Sequence, residues 1–250
     1  MMTLFLLLFS KHRAWRYSLQ AAFFLLLGLP LFAQTVRPII DENIVKGPGR
    51  KAKGKIEYIN DSLETLTVTL ATQSFTVSDK GDMLYRPLDG GIHVKFSATS
   101  FRIPPKQNYL VFYEAYADAV PAWMVVYATF AGYKQKTEEG LNIQVLLPHT
   151  IYLLPKGEVK KGELVIKAAS YDSGSKIVTV RVENTGPTFC RVLAANVTSA
   201  KDKADNNGFP LFPHSQRQVE IPWAGNDQPT RLTLQLQHFR LEQSIGSATP

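Results

Sequence analysis

Cysteine is almost missing from this chain: its 250 residues contain one, Cys190. That excludes an internal disulfide framework and any cysteine-rich zinc or iron–sulfur cage. Histidine is scarce too, and His93, His149, His214 and His238 never fall at the short spacing that places two ligands on one metal. No segment carries a convincing apolar stripe at helical period. A nucleophile elbow is lacking as well, because Ser173-Gly174-Ser175 sits in an expected hairpin turn without the required Gly-x-Ser-x-Gly. Glu138 and Glu139 are adjacent, so on a strand they would point to opposite faces. A secreted hydrolase would have no nucleophile, base or metal set. The expectation is a non-enzyme with no catalytic residue, no metal and no cofactor.

What the sequence does have begins with an export signature. Lys11, His12, Arg13 and Arg16 lead into a 13-residue apolar run, Ala21 to Ala33. That length suits a signal-peptide core and falls short of the roughly 20 residues that span a bilayer as a helix. Residues 1–33 are expected to be a signal peptide cleaved after Ala33; the alternative is an uncleaved anchor helped by Leu4 to Phe9. Either leaves the rest of the chain outside the inner membrane, with no transmembrane span in the mature part. Residues 1–33 carry three of the 28 Lys and Arg and none of the 21 Asp and Glu, so without them the net charge falls from +7 to +4. Much of the remaining excess lies in the Gly-rich stretch Lys46 to Lys55. Such a stretch can grip phosphate or an anionic surface, yet its glycine spacing is not that of a phosphate loop. A solvated turn between strands is the favoured reading, and nucleic acid is not an expected partner.

From Thr35 onward the dominant period is two. In Leu66-Thr67-Val68-Thr69-Leu70 the apolar residues share one face and the threonines the other, the pattern of a half-buried strand. Lys55 to Ile59, Ile92 to Phe96, Tyr109 to Tyr113, Met124 to Phe130 and Leu141 to Leu147 read alike, bounded by turns such as Asn60-Asp61-Ser62, Asp89-Gly90-Gly91 and Pro104-Pro105. A polar break at Pro155 to Gly162 serves as a connector. Short strands then resume at Leu164 to Ile166, Ile177 to Val182, Phe189 to Val197, Gln218 to Ile221 and Leu232 to Leu236. Turns are expected at Asp172-Ser173-Gly174, Asn184-Thr185-Gly186 and Asp205 to Gly208, and a frayed end from Gly246 to Pro250. The fold class is all-β, two β-sandwiches after an amino-terminal signal segment. Cys190, between Phe189 and Arg191 on a strand, reads as a small core residue. Asn60-Asp61-Ser62 and Asn196-Val197-Thr198 match the glycosylation triplet.

One segment stands out. Leu141, Ile143, Val145 and Leu147 share one face of a strand that follows the polar stretch Lys134 to Gly140. Two readings remain open from the pattern: an ordinary core strand, or an edge strand whose apolar row completes another protein's sheet. Burying four such side chains would supply about 6 to 12 kcal/mol before ordering costs.

Several stretches together resemble the periplasmic pilus-assembly chaperones of the PapD type, especially the divergent, archaic chaperone–usher branch. They are Ile56 to Asn60 followed by Leu66 to Leu70, Phe101 to Gln107, Leu141 to Lys156, Val182 to Gly186 and Gly208 to Arg217. The resemblance implies two immunoglobulin-like domains set at an angle: residues 35–156, a linker at 157–162, and a smaller domain at 163–245. It implies a periplasmic chaperone that binds pilus or fimbrial subunits by donor-strand complementation. Leu141, Ile143, Val145 and Leu147 would be donor residues, the client would pass to an outer-membrane usher, and the same edge would allow self-association. In the better-known members an Arg on the first strand and a Lys near the end of the donor strand bind the client's terminal carboxylate. The matching positions here are near Glu42 or Asn43 and at Tyr152, which leaves Arg37, His149, Tyr152 and Lys156 as candidate anchors. A secreted immunoglobulin-like structural or adhesion module without a pilin client is the alternative.

Overall fold

The computed structural model describes residues 34–132 and 144–247. The first ten strands are β1 (Gln34–Arg37), β2 (Ile40–Val45), β3 (Ala52–Asn60), β4 (Leu66–Val77), β5 (Met83–Pro87), β6 (Ile92–Phe96), β7 (Ser100–Ile103), β8 (Gln107–Ala117), β9 (Ala122–Gly132) and β10 (Gln144–Pro155). They form two facing sheets. Sheet I has the order β1-β3-β8-β6; sheet II has the order β2-β10-β9-β4-β5, with β7 also pairing with β4. Alternation explains the arrangement: Leu66, Val68 and Leu70 on β4 and Ile56 and Tyr58 on β3 point into one buried cluster with Val111, Tyr113, Met124, Phe130 and Ile151.

A second sandwich follows the short 3-10 turn Lys161–Glu163. Its strands are β11 (Leu164–Asp172), β12 (Ile177–Asn184), β13 (Cys190–Thr198), β14 (Lys203–Leu211), β15 (Ser215–Pro222), β16 (Arg231–Gln235), β17 (Arg240–Ser244) and β18 (Gly246–Ser247). Sheet III runs β15-β12-β11-β18 and sheet IV runs β14-β13-β16-β17. Val178, Val180, Val182, Val192, Val197, Leu232 and Leu234 fill a core of its own.

Asn60 and Asn184 do the same work at matching corners. Each is buried at the end of a strand, and its amide bridges the turn that follows. Asn60 Nδ2 donates to the carbonyls of Glu64 (2.7 Å) and Ile103 (2.9 Å) while its Oδ1 accepts from the Ser62 amide (3.0 Å). Asn184 Nδ2 donates to the Thr188 carbonyl at 2.8 Å, and its Oδ1 accepts from the Gly186 amide at 3.0 Å. A glycan on Asn60 would have to displace this network, so that triplet is closed to modification in the folded chain.

Three local expectations fail. Asp205 to Gly208 is not a turn: it lies inside β14, with Asp205, Asn206 and Asn207 paired to Asn196, Ala195 and Ala194 of β13. Gly208 is required there by close approach, since a Cβ would stand 2.0 Å from the Val192 carbonyl oxygen. Gly246 and Ser247 are not frayed either; they pair in parallel with Ser170 and Tyr171. Lys53 and Lys55, read as part of a turn, are on β3, and the turn itself is confined to the residues between Val45 and Ala52.

The two sandwiches meet through rings. Phe75, Val125, Tyr152 and Leu154 of the first domain and Phe189 and Phe212 of the second form a separate buried cluster, with Trp123 and Tyr127 packed against it. Phe212 is the hub, with ring centroids 4.5 Å from Trp123, 5.3 Å from Phe189, 6.2 Å from Phe75 and 6.3 Å from Tyr152. At the side, the Gln218 amide donates to the Asp79 carbonyl (2.6 Å) and Arg217 Nη1 to the Ser78 carbonyl (3.4 Å). Gly81 lies beneath that guanidinium at φ +99, where a Cβ would stand 1.7 Å from Arg217 Nη1.

Candidate functional site: the half-open edge of β10

The site is defined by where the chain's first strand goes. β2 runs parallel to β10 and covers Thr150 to Pro155, from Thr150↔Ile40 to Pro155↔Val45. At Ile39 and Pro38 this neighbour leaves, and β1 joins the other sheet against Glu57 to Asn60. On its other side β10 pairs with β9 from Gln144 to Leu153. Among the described residues, 144–149 therefore have a ladder on one side and none on the other.

Backbone parity fixes what that open edge offers. The Thr150 amide donates to the Ile39 carbonyl at 2.8 Å, so Thr150 points its backbone groups toward the β2 side. Residues two and four positions earlier point the same way. The free edge thus presents the N–H and C=O of Gln144 and Leu146 and the C=O of Pro148. Pro148 lacks an N–H where no β9 carbonyl needs one, which is why proline is tolerated in this strand.

Side chains alternate across the same stretch. Val145 and Leu147 are half-buried and pack against the first domain's core, whereas Leu146 projects outward and is 54% exposed. Val145 and Leu147 lie at the rim where β2 is absent, so the core is open beside them. Leu141 and Ile143 lie outside the described residues.

His149 holds the fork where β2 departs. It is fully buried, and its Nδ1 contacts the Pro38 carbonyl oxygen, an acceptor, so the neutral ring carries its proton there. Burial holds its pKa below the usual histidine range, opposed by the Pro38 hydrogen bond and the Asp41 charge. Nε2 is buried without a partner. Close by, Tyr113 Oη donates to Asp41 Oδ2 at 2.6 Å and accepts from Asn43 Nδ2 at 2.9 Å. Burial, followed by that bond to Asp41, pushes the Tyr113 hydroxyl pKa up. The Tyr113 ring lies over Gly54, where a Cβ would stand 2.4 Å from it.

The four candidate anchors do not converge. His149 and Tyr152 project from opposite faces of β10 by strand alternation; His149 points into the first core and Tyr152 into the interdomain ring cluster. Arg37 ends β1 on sheet I and is exposed, as is Lys156 just beyond β10. The cation whose charge bears on Tyr152 is instead Arg191, from β13 of the second domain. Arg191 pairs with Glu42 at 3.4 Å. It lines an interdomain cavity of about 290 Å³ together with Ile44, Leu154, Phe189, Leu193 and Phe239. Nothing in its own strand marks Arg191, because its importance comes from the docking of one sandwich on the other. Cys190 beside it is buried, and that burial pushes its thiol pKa up to about 12. Among the described residues no three His, Cys, Asp or Glu side chains gather to hold a metal, and no helix is long and apolar enough to cross a membrane.

Solved structures share this architecture over nearly their whole length. A chain of the Salmonella enterica SafA pilin–SafB chaperone complex superposes with a TM-score of 0.54 at 12% identity, covering 87% of this chain and 98% of that one. The YadV chaperone gives 0.52 at 12% identity, covering 84% and 98%. The class 5 fimbriae chaperone CfaA gives 0.50 at 12%, covering 86% and 100%. The chain has the two-sandwich fold of the fimbrial chaperones. No family model matches it, and no curated protein matches it by sequence. In this fold the half-open β10 is the last strand of the first sandwich, and its far end, at Leu154, lines the interdomain cleft with Phe189 and Arg191.

Proposed function

We propose that this protein is a periplasmic chaperone for pilus or fimbrial subunits, in which the upper half of β10 lends its free edge to a client that lacks a strand. The observation that carries the reading is the withdrawal of β2 at Pro38, which among the described residues leaves 144–149 with a free backbone edge and an open apolar rim. The client's strand would pair with Gln144 and Leu146, while Leu141, Ile143, Val145 and Leu147 extend the core into its groove. The shared fold supports the reading, since one structure with it contains a pilin together with its chaperone. Arg191, whose charge bears on Tyr152, is the group best placed to orient a client terminus at the cleft by a charge-assisted bond, whereas Arg37, His149 and Lys156 lie apart from it. The client would then pass to an outer-membrane usher. When idle, the same edge can pair with a second copy.

The test separates edge from core. Leu146→Pro deletes an N–H from the free edge without touching the β9 ladder, and Leu146 points away from the core. Co-expressed with a pilin subunit encoded next to it, the variant should fold and melt as the parent does but fail to co-purify the subunit. Co-purification undiminished by Leu146→Pro and by Val145→Ser overturns the proposal and leaves the structural-module reading, which draws on the packing of Val145 and Leu147 against their own core.

A further inference from the structure

The outer face of sheet I is not used by the β10 edge, the cleft or either core. Strand register places its side chains in rows. Arg37, Glu57 and Leu110 form one; Lys55 and Phe112 the next; Lys53, Glu114 and Lys95 the third. Leu110 is 43% exposed and Phe112 is 57% exposed, side by side in the middle of a sheet face where alternation calls for polar groups. Five cations, Arg37, Lys51, Lys53, Lys55 and Lys95, surround them against two carboxylates. Glu114 is already held by Lys51 (3.2 Å) and Lys53 (3.0 Å), and Glu57 by Asn108, while among the described residues no carboxylate lies within salt-bridge distance of Lys55 or Lys95. The face is therefore an apolar centre with a cationic rim.

From this arrangement we infer that the outer face of sheet I docks on an anionic lipid surface, with Phe112 and Leu110 entering the headgroup boundary and the lysines facing lipid phosphate. An aromatic–aliphatic pair ringed by lysine and arginine is the combination that interfacial binding uses. A basic groove on an acidic protein would not need the two bare apolar side chains at its centre. The basic stretch from Lys46 to Lys55 thereby acquires a use that a plain turn would not have. This inference is independent of what β10 binds.

The experiment is sedimentation with vesicles of phosphatidylglycerol and phosphatidylcholine, against phosphatidylcholine alone, using the full chain expressed in cells and purified in the form they leave it. The decisive readout is the difference between parent and variants on anionic vesicles, which a retained leader does not move. Each basic side chain near such a surface is worth about a fivefold change in binding. Lys55→Glu with Lys95→Glu should therefore weaken binding at least ~25-fold, and added salt should weaken the parent. Phe112→Thr, which suits an exposed strand position, should weaken binding severalfold and leave the salt dependence in place. Unchanged thermal melting shows that both variants are folded. Equal binding of parent and charge variant to anionic vesicles overturns the inference, as does capture by an acidic polypeptide such as polyglutamate with none by the vesicles.

Discussion

Truncating Phe212 should uncouple the two sandwiches without damaging either. Its ring touches four others, three of them on the first domain and one, Phe189, on its own. Burying a phenylalanine of this kind contributes about 3 to 5 kcal/mol over alanine, and each ring pair adds about 0.5 to 1.5 kcal/mol beyond area. None of that sum belongs to either sandwich core, because the ring cluster is separate from both. Phe212→Ala should therefore remove about 3 kcal/mol or more of coupling between domains. Calorimetry should show one unfolding transition in the parent and two in the variant. Trypsin gives an independent readout, since Lys156, Lys160 and Lys161 lie exposed in and beside the connector and become good sites once the domains separate. Phe189→Ala, with two ring neighbours, should have a smaller effect in the same direction. A single transition in Phe212→Ala lying within about 1 kcal/mol of the parent's, with no gain in cleavage at the connector, would refute the argument.

Other outcomes follow from single contacts. Because burial depresses the His149 pKa, the unfolded chain takes up that proton first; stability is full above about pH 6.5 and falls by up to about 1.4 kcal/mol per unit below it. His149→Gln, which keeps a donor for the Pro38 carbonyl, should flatten that slope in denaturant titrations between pH 7 and pH 5, and an unaltered slope would remove His149 as its source. Gly81→Ala should cost roughly the 1 to 2 kcal/mol of a left-handed alanine, because the Arg217 guanidinium over it is the far end of a flexible side chain and can swing aside. An Arg217→Ala background should change that cost by less than about 1 kcal/mol in a double-mutant cycle, and a larger coupling would mean that the guanidinium is held in place.

The core strands are legible because they alternate. Leu66 to Leu70 and Ile177 to Val182 bury every second residue, and a period of two needs no tertiary information to be seen. Edge strands give no such signal. All five residues of β5 are exposed, so Met83 to Pro87 carry no pattern, and β2 inverts the usual one, with Ile40 and Ile44 on its exposed face and Asp41 and Asn43 on its half-buried one. Asp205 to Gly208 misleads for the opposite reason: its residue types favour a turn, yet the register with β13 overrides them, and Gly208 is there for a close backbone contact.

The candidate site is harder to read than the fold because it consists of an absent neighbour. The residues of β10 say that Val145 and Leu147 face one way; they cannot say that β2 stops beside Thr150. That property belongs to the crossing of the first strand from sheet II to sheet I, and it is set jointly by Pro38, by the Thr35↔Ile59 and Val36↔Tyr58 pairs, and by His149 fastening the crossover to β10. Pro148 is the one residue-level trace of it. A proline in a strand paired on both sides would break a ladder, and this one is tolerated because its nitrogen faces the side that has no ladder. Proline inside an apolar alternating run, two residues before the point where a neighbouring strand's ladder terminates, is thus a sequence mark of a half-open edge. It locates the edge that Leu146→Pro is designed to block.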